Sequence, residues 1–90
     1  MQQLSIDLCR QVWQEGTTDT PAVIFQVAPD FVFLFDFDAT RREYVISYCR
    51  YDKEKRFWVM TYSEFCKDYK DIYNFCKQYT PDEYIRKVVI

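Results

Sequence analysis

Apolar side chains recur at helical spacing near the start of the chain. Six of them form one stripe: Leu4, Ile6, Leu8, Cys9, Val12 and Trp13. Apolar residues three and four positions apart are typical of an amphipathic helix, which we predict over residues 3–15. Gly16, the single glycine, follows this stripe. It suits the position just after a helix end, where a positive φ carries no side-chain penalty.

The middle of the chain alternates between apolar and polar positions, or is apolar throughout, in short segments rich in β-branched and aromatic residues. Such segments predict strands, which we place at residues 22–27, 31–38, 42–51 and 56–62. The connections after the second and third strands begin with Asp38 and Asp52. Aspartate at the first position favours a tight turn, so we expect an antiparallel meander with short hairpins.

A second helical stripe follows the last of these strands and predicts a helix over residues 63–79. Its apolar residues are Phe65, Tyr69, Ile72, Tyr73, Cys76 and Tyr79. Ser63 can cap this helix and Glu64 suits its first turn. The sequence of residues 80–83 carries a further capping signal, which predicts a short final helix over about residues 81–89. The last three residues (Val-Val-Ile) also suit a strand.

The order of these elements predicts a single α+β domain that spans residues 1–90. It has an N-terminal helix, a four-stranded antiparallel meander sheet and one or two C-terminal helices, in the order α-β-β-β-β-α-α.

Both faces of the predicted sheet carry apolar residues. Alternation along the second strand places Phe31, Phe33, Phe35 and Phe37 on one face. A tight turn at residues 39–40 would pair Phe35 with Tyr44 and Phe33 with Ile46. The opposite face would then carry Val32, Leu34, Val45, Cys49, Trp58, Met60 and Tyr62. A shift of one residue in the pairing of two neighbouring strands would move the side chains of one strand to the opposite face.

The terminal helices can cover one face, and the sequence leaves open whether the other is covered too. An uncovered face rich in Trp, Tyr and Met is typical of a surface that binds another protein. The predicted partner-binding residues are Val45, Cys49, Trp58, Met60 and Tyr62. The same face could bind a second copy of the chain to form a homodimer.

Composition excludes several classes of function. Aromatic residues make up 20% of the chain, histidine is absent and the net charge is −2. Without histidine the chain lacks the commonest general base and the commonest metal ligand. No apolar segment is long enough to cross a membrane and no signal peptide is recognisable. We therefore expect a cytoplasmic protein without enzyme activity, with no catalytic residues, no cofactor and no metal.

The remaining polar candidates have structural interpretations. Cys9, Cys49, Cys66 and Cys76 show no Cys-x-x-Cys spacing, so buried thiols are favoured over disulfides or a zinc site. Cys66 and Cys76 would lie too far apart on one helix to bridge. The carboxylates of Asp36, Asp38 and Glu43 could bind a divalent cation. A charged strand end, with ion pairs to Arg41 and Arg42, is the favoured interpretation.

A module that binds single-stranded nucleic acid is the alternative function. It would use sheet aromatics and hairpin arginines, namely Arg41, Arg42, Tyr44, Tyr48, Arg50 and Arg56. Interleaved carboxylates and the separation of the hairpins at opposite ends of a meander disfavour it, as does the negative net charge.

The sequence therefore favours a small protein–protein interaction domain. Its size suits a subunit, an adaptor or an inhibitor encoded by a mobile element, and nothing in the sequence selects among these.

Overall fold

Two helices and six strands make up the described part of the protein. The computed structural model describes residues 2–18, 22–79 and 84–89. The elements are β1 (Gln2–Gln3), α1 (Ile6–Thr17), β2 (Val23–Ala28), β3 (Phe31–Asp38), β4 (Glu43–Asp52), β5 (Phe57–Cys66), α2 (Tyr69–Tyr79) and β6 (Tyr84–Val89). The strands form one antiparallel sheet in the order β1-β6-β2-β3-β4-β5. The predicted α+β class and the meander β2–β5 are confirmed.

The end of the chain forms a strand where a short helix was predicted. Tyr84–Val89 pairs with β2, so that Val23 lies opposite Val89 and Ile24 opposite Val88. Without β6, the outer backbone groups of β2 would lack ladder partners, and unpaired backbone groups are costly to bury. Residues 80–83, which carry the capping signal, lie outside the described part of the chain. One C-terminal helix is therefore present among the described residues.

The glycine expected just after the first helix lies inside it. α1 begins after Ser5, whose Oγ accepts a 3.1 Å hydrogen bond from the Leu8 N–H, and it continues to Thr17. The backbone at Gly16 has no positive φ. A Cβ atom placed on Gly16 would overlap the ring of Phe35. Glycine is needed here for the close approach of helix and sheet rather than for a helix end.

The boundary between β5 and α2 lies later than the sequence predicted. β5 continues to Cys66, and Phe65, assigned above to a helical stripe, pairs with Val45. Ser63 and Glu64 are strand residues, so neither serves the start of a helix. The capping acceptors are Asp68, whose Oδ1 accepts from the Lys70 N–H at 2.8 Å, and Asp71.

Both helices pack on the phenylalanine face of the sheet, called here the helix face. Phe33 meets Phe75 of α2 edge-on, with ring centroids 6.0 Å apart, and Phe35 lies 5.6 Å from Trp13 of α1. The fully buried large side chains are Phe25, Phe33, Phe35, Phe75, Ile46 and Ile72. The hydrophobic core therefore lies between this face and the two helices.

The register of β3 against β4 differs by two residues from the prediction. Phe35 lies opposite Ile46 and Phe33 opposite Tyr48. The turn contains four residues instead of two, because Asp38 pairs with Glu43. The Asp38 carboxylate accepts hydrogen bonds from the N–H groups of Thr40 and Arg41 within this turn. A shift of two residues keeps every side chain on its predicted face.

Candidate functional site

The face of the sheet opposite the helices is covered by no described element, and we call it the open face. Strand register places on it Ile24, Gln26, Val32, Leu34, Asp36, Val45, Ser47, Cys49, Trp58, Met60, Ser63 and Phe65. Trp58, Met60 and Phe65 are 45%, 61% and 46% exposed, unusually high values for large apolar side chains. Val45 is half-buried and Cys49 is buried beside Trp58. The predicted placement of Val45, Cys49, Trp58 and Met60 on one face is confirmed.

The placement predicted for Tyr62 is wrong. The register between β4 and β5 shifts after Tyr48, because Tyr48 pairs with Tyr62 whereas the next residue, Cys49, pairs with Met60. The extra residue, Thr61, forms a β-bulge that reverses the alternation. Tyr62 therefore lies on the helix face, where its ring stacks on Tyr79 at 5.2 Å. Beyond the bulge, Ser63 and Phe65 take its place on the open face.

Two adjoining grooves mark the open face. The first has a volume of ≈ 320 Å³ and is lined by Ile24, Gln26, Val32, Leu34, Cys49 and Trp58. The second, of ≈ 440 Å³, begins at Leu34 and extends towards Asp36, Asp38 and Arg41. The open face thus has an apolar region without charged residues and a mixed, charged end.

A hydrogen bond between two serines lies in the middle of this face. The hydroxyl oxygens of Ser47 and Ser63 are 2.9 Å apart, and Ser47 is 2% exposed. Because each hydroxyl has the other as a partner, covering this region with another apolar surface would leave neither without a hydrogen bond.

The charged end of the open face combines a cation with two carboxylates. The Arg41 guanidinium lies over the ring of Phe65, 5.5 Å from its centroid, a geometry typical of a cation–π contact. Asp36 lies on β3 at the level of Phe65 on β5, because both pair with Val45 of β4. This end therefore carries both signs of charge.

The carboxylates do not gather into a cation site. Asp38 accepts hydrogen bonds within its turn, and an oxygen of Asp36 accepts one from the Phe37 N–H at 2.8 Å. The part of the chain that the structure describes contains no cluster of three or more potential metal-ligating side chains. The ion pairs expected with Arg41 and Arg42 are also absent, since the salt bridges among the described residues join Arg10 to Asp7 and Lys53 to Asp30.

The four cysteines are buried thiols and none forms a disulfide. Burial raises the pKa of Cys9 and of Cys66 to about 12, from an ordinary value of 9.0. Burial also raises the pKa of Cys76, and the neighbouring Cys9 and Cys66 raise it further. Because the thiolate is the reactive form of cysteine, these thiols are poorly suited to act as nucleophiles.

The residues of the nucleic-acid alternative are divided between different parts of the molecule. The ring of Tyr44 stacks on Phe35, and that of Tyr48 stacks on Tyr79, both on the helix face. Arg41 and Arg42 lie at the β3–β4 turn. Arg56 lies at the β4–β5 turn, at the other end of the sheet, and Arg50 is near that end on β4. The structure does not bring these six residues onto one surface with the exposed Trp58.

Comparison with protein-family models, with curated proteins and with solved structures finds no match to this chain. Within the described residues, neither helix has the length and apolar character needed to cross a lipid bilayer. Proposals about function therefore rest on the residues of the open face.

Sequence reasoning assigned two members of the open face, Ser63 and Phe65, to a helix. Phe65 fits a helical stripe as well as a strand, and its spacing from Tyr69 favoured the helix. Ser63 was interpreted as a helix cap because serine is common there. The alternation of Ser63 and Phe65 with exposed polar Glu64 was the signal that could have assigned both to a strand.

Proposed function

We propose that this protein is a small, non-catalytic protein–protein interaction domain that binds through the open face. The observation that carries the proposal is the exposure of Trp58, Met60 and Phe65 together on the side of the sheet that no described element covers, whereas both helices pack on the other side. Large contiguous apolar surfaces are rare on isolated soluble proteins and are typical of binding sites. Tryptophan and methionine are also enriched where interfaces exclude water.

The charge distribution supports the same proposal. The first groove has no charged residue in its lining, and charge is depleted at interface centres. The charges at Asp36, Asp38 and Arg41 lie at one end, where a polar rim is expected. The buried thiols are consistent with work in the cytoplasm, since reduced cysteines are usual there.

Single-stranded nucleic acid is the less favoured ligand. Bases stack on exposed aromatic rings beside basic side chains, whereas Tyr44 and Tyr48 already stack on other residues of the helix face. Trp58 has no basic residue among its neighbours in the first groove.

Affinity capture with matched variants tests the proposal. Met60→Glu places a charge on the open face. Ile6→Glu makes the same change at the first residue of α1, an exposed position where an acidic residue suits the helix dipole. We expect a protein that is retained by the wild type and Ile6→Glu but lost with Met60→Glu. The purified partner should then bind the wild type in calorimetry with little dependence on salt.

Two results would contradict the proposal. One is a purified partner that binds Met60→Glu as tightly as it binds the wild type. The other is tight binding of a single-stranded oligonucleotide, followed by fluorescence anisotropy, that weakens steeply between low and moderate salt.

A further inference from the structure

We infer that the first occupant of the open face is a second copy of this chain, which forms a symmetric dimer with the two open faces packed together. This inference rests on the proposed function and names the partner of the same face. The two-fold axis runs parallel to β4, midway between the β4 strands of the two copies, so that β3 of each copy faces β5 of the other.

The shape of the open face is complementary to itself about this axis. The first groove lies over β2 and β3, with Trp58 as one wall, while Met60, which is 61% exposed, projects from β5. Cys49 of β4 pairs with Val32 on one side and with Met60 on the other. The two-fold rotation therefore places Met60 of each copy opposite Val32 of the other, at the floor of the groove.

Charge is complementary about the same axis. Asp36 and Phe65 flank Val45 on its two sides, and the Arg41 guanidinium lies over the Phe65 ring. The rotation brings Arg41 of each copy to Asp36 of the other, so the dimer gains two ion pairs at one end. Rotation about an axis perpendicular to the strands would instead place this charged end against the apolar groove.

The polar groups of the face suit a dimer, and the overlapping area suits a weak one. About this axis β3, β4 and β5 of each copy face the same three strands of the other, because β5 is the edge of the sheet. Three strands about 4.8 Å apart, each about eight residues long at about 3.3 Å per residue, outline about 380 Å². Two facing copies thus cover about 760 Å², the size of a weak or transient interface. Ser47 and Ser63, in the middle of this area, already share a hydrogen bond. Packing two open faces would leave these hydroxyl groups with their hydrogen bond.

Sedimentation equilibrium of the reduced protein, over a range from micromolar to millimolar concentration, tests this inference. We expect a mass that rises towards twice the monomer value of 11.1 kDa. Met60→Glu should weaken the dimer by a factor of about 100 or more, the size of a hot-spot effect. Ile6→Glu, on α1 and away from the open face, should dimerise as the wild type does.

A charge exchange tests the position of the axis. Asp36→Lys and Arg41→Glu should each weaken the dimer by a factor of about 10, and the double variant should recover most of the affinity because the pairs re-form with reversed sign. Circular dichroism confirms that each variant is folded.

Each outcome decides the inference. A mass of 11.1 kDa at every concentration overturns it. So does a dimer that Met60→Glu leaves unchanged, since that dimer uses another surface, or a double variant that recovers nothing. A wild type that stays monomeric while a different protein binds through Met60 would overturn the dimer and leave the proposed function standing.

Discussion

Gly16 matters to the fold because it has no Cβ atom. Alanine at an ordinary helix position is more stable than glycine by about 1 kcal/mol. At this position the added methyl group would overlap the ring of Phe35, which is fully buried and in contact with Trp13. We expect Gly16→Ala to lower the free energy of unfolding by about 1–3 kcal/mol, as measured by urea denaturation.

Gln11→Ala provides the control for this change. It adds alanine to an exposed position of α1, where only helix propensity acts, so its stability should rise slightly. An unchanged or higher stability for Gly16→Ala would mean that the helix does not approach the sheet so closely.

The buried thiols predict a loss of stability at alkaline pH. The pKa of Cys9 and Cys66 is about 12 in the folded protein, whereas the ordinary value for a thiol in the unfolded chain is 9.0. The folded state therefore holds both thiols protonated. Their stabilising effect is complete below the ordinary pKa and declines as pH rises from there towards the folded pKa. Urea midpoints should therefore fall over this interval, and the fall should be smaller in Cys9→Ala.

Alkylation gives an independent measurement of the same effect. Near neutral pH, iodoacetamide should label all four cysteines in urea and few of them in the native protein. Rapid native labelling of Cys9 would contradict its burial between the sheet and the helices.

At the scale of elements, the start of α2 depends on two aspartates after the end of β5. The Asp68 carboxylate accepts from the Lys70 N–H, and that of Asp71 accepts from the Lys67 N–H. We expect Asp68→Ala to destabilise the protein by about 1 kcal/mol in urea denaturation. Asp68→Asn keeps an acceptor oxygen and should be affected less. Equal losses in the two variants would show that the negative charge matters more than the hydrogen bond.

The elements also show how far sequence alone could lead. Alternation along β3 placed its four phenylalanines on one face without any knowledge of neighbouring strands. The face of Tyr62 could not be predicted in this way, because the bulge at Thr61 follows from pairing with β4 and no glycine marks it. For a related reason, a strand at β6 was predicted only as an alternative and only for residues 88–90. Its local signals are mixed, and pairing with the distant β2 decides the conformation.

At the scale of the whole molecule, the two faces of the sheet should respond differently to mutation. Phe33 is fully buried beneath α2, whereas Trp58 is 45% exposed. We expect Phe33→Ala to lower the free energy of unfolding by about 3–5 kcal/mol and Trp58→Ala by about 1 kcal/mol. Urea denaturation at one low protein concentration makes the comparison, since dimerisation raises apparent stability.

Unfolding of the Trp58→Ala variant would place this side chain in the core and remove the main reason to regard the open face as a binding site. A folded variant that no longer binds its partner is the expected result. Most residues of the open face were predictable from the sequence. That this face is uncovered was not predictable, because it depends on both helices packing on the opposite side of the sheet.

The pairing of β6 with β2 has a consequence for synthesis on the ribosome. β2 lies inside the sheet only when β6 is in place, and Tyr84–Val89 is translated after every other described element. A nascent chain that has released α1 through α2 still presents β2 as an unprotected edge, which is a template for pairing with other chains. At about 5–20 residues per second this interval is short. Slow codons before Tyr84 would prolong this interval, and a stop codon there would remove β6 altogether. Both changes should favour aggregation over folding.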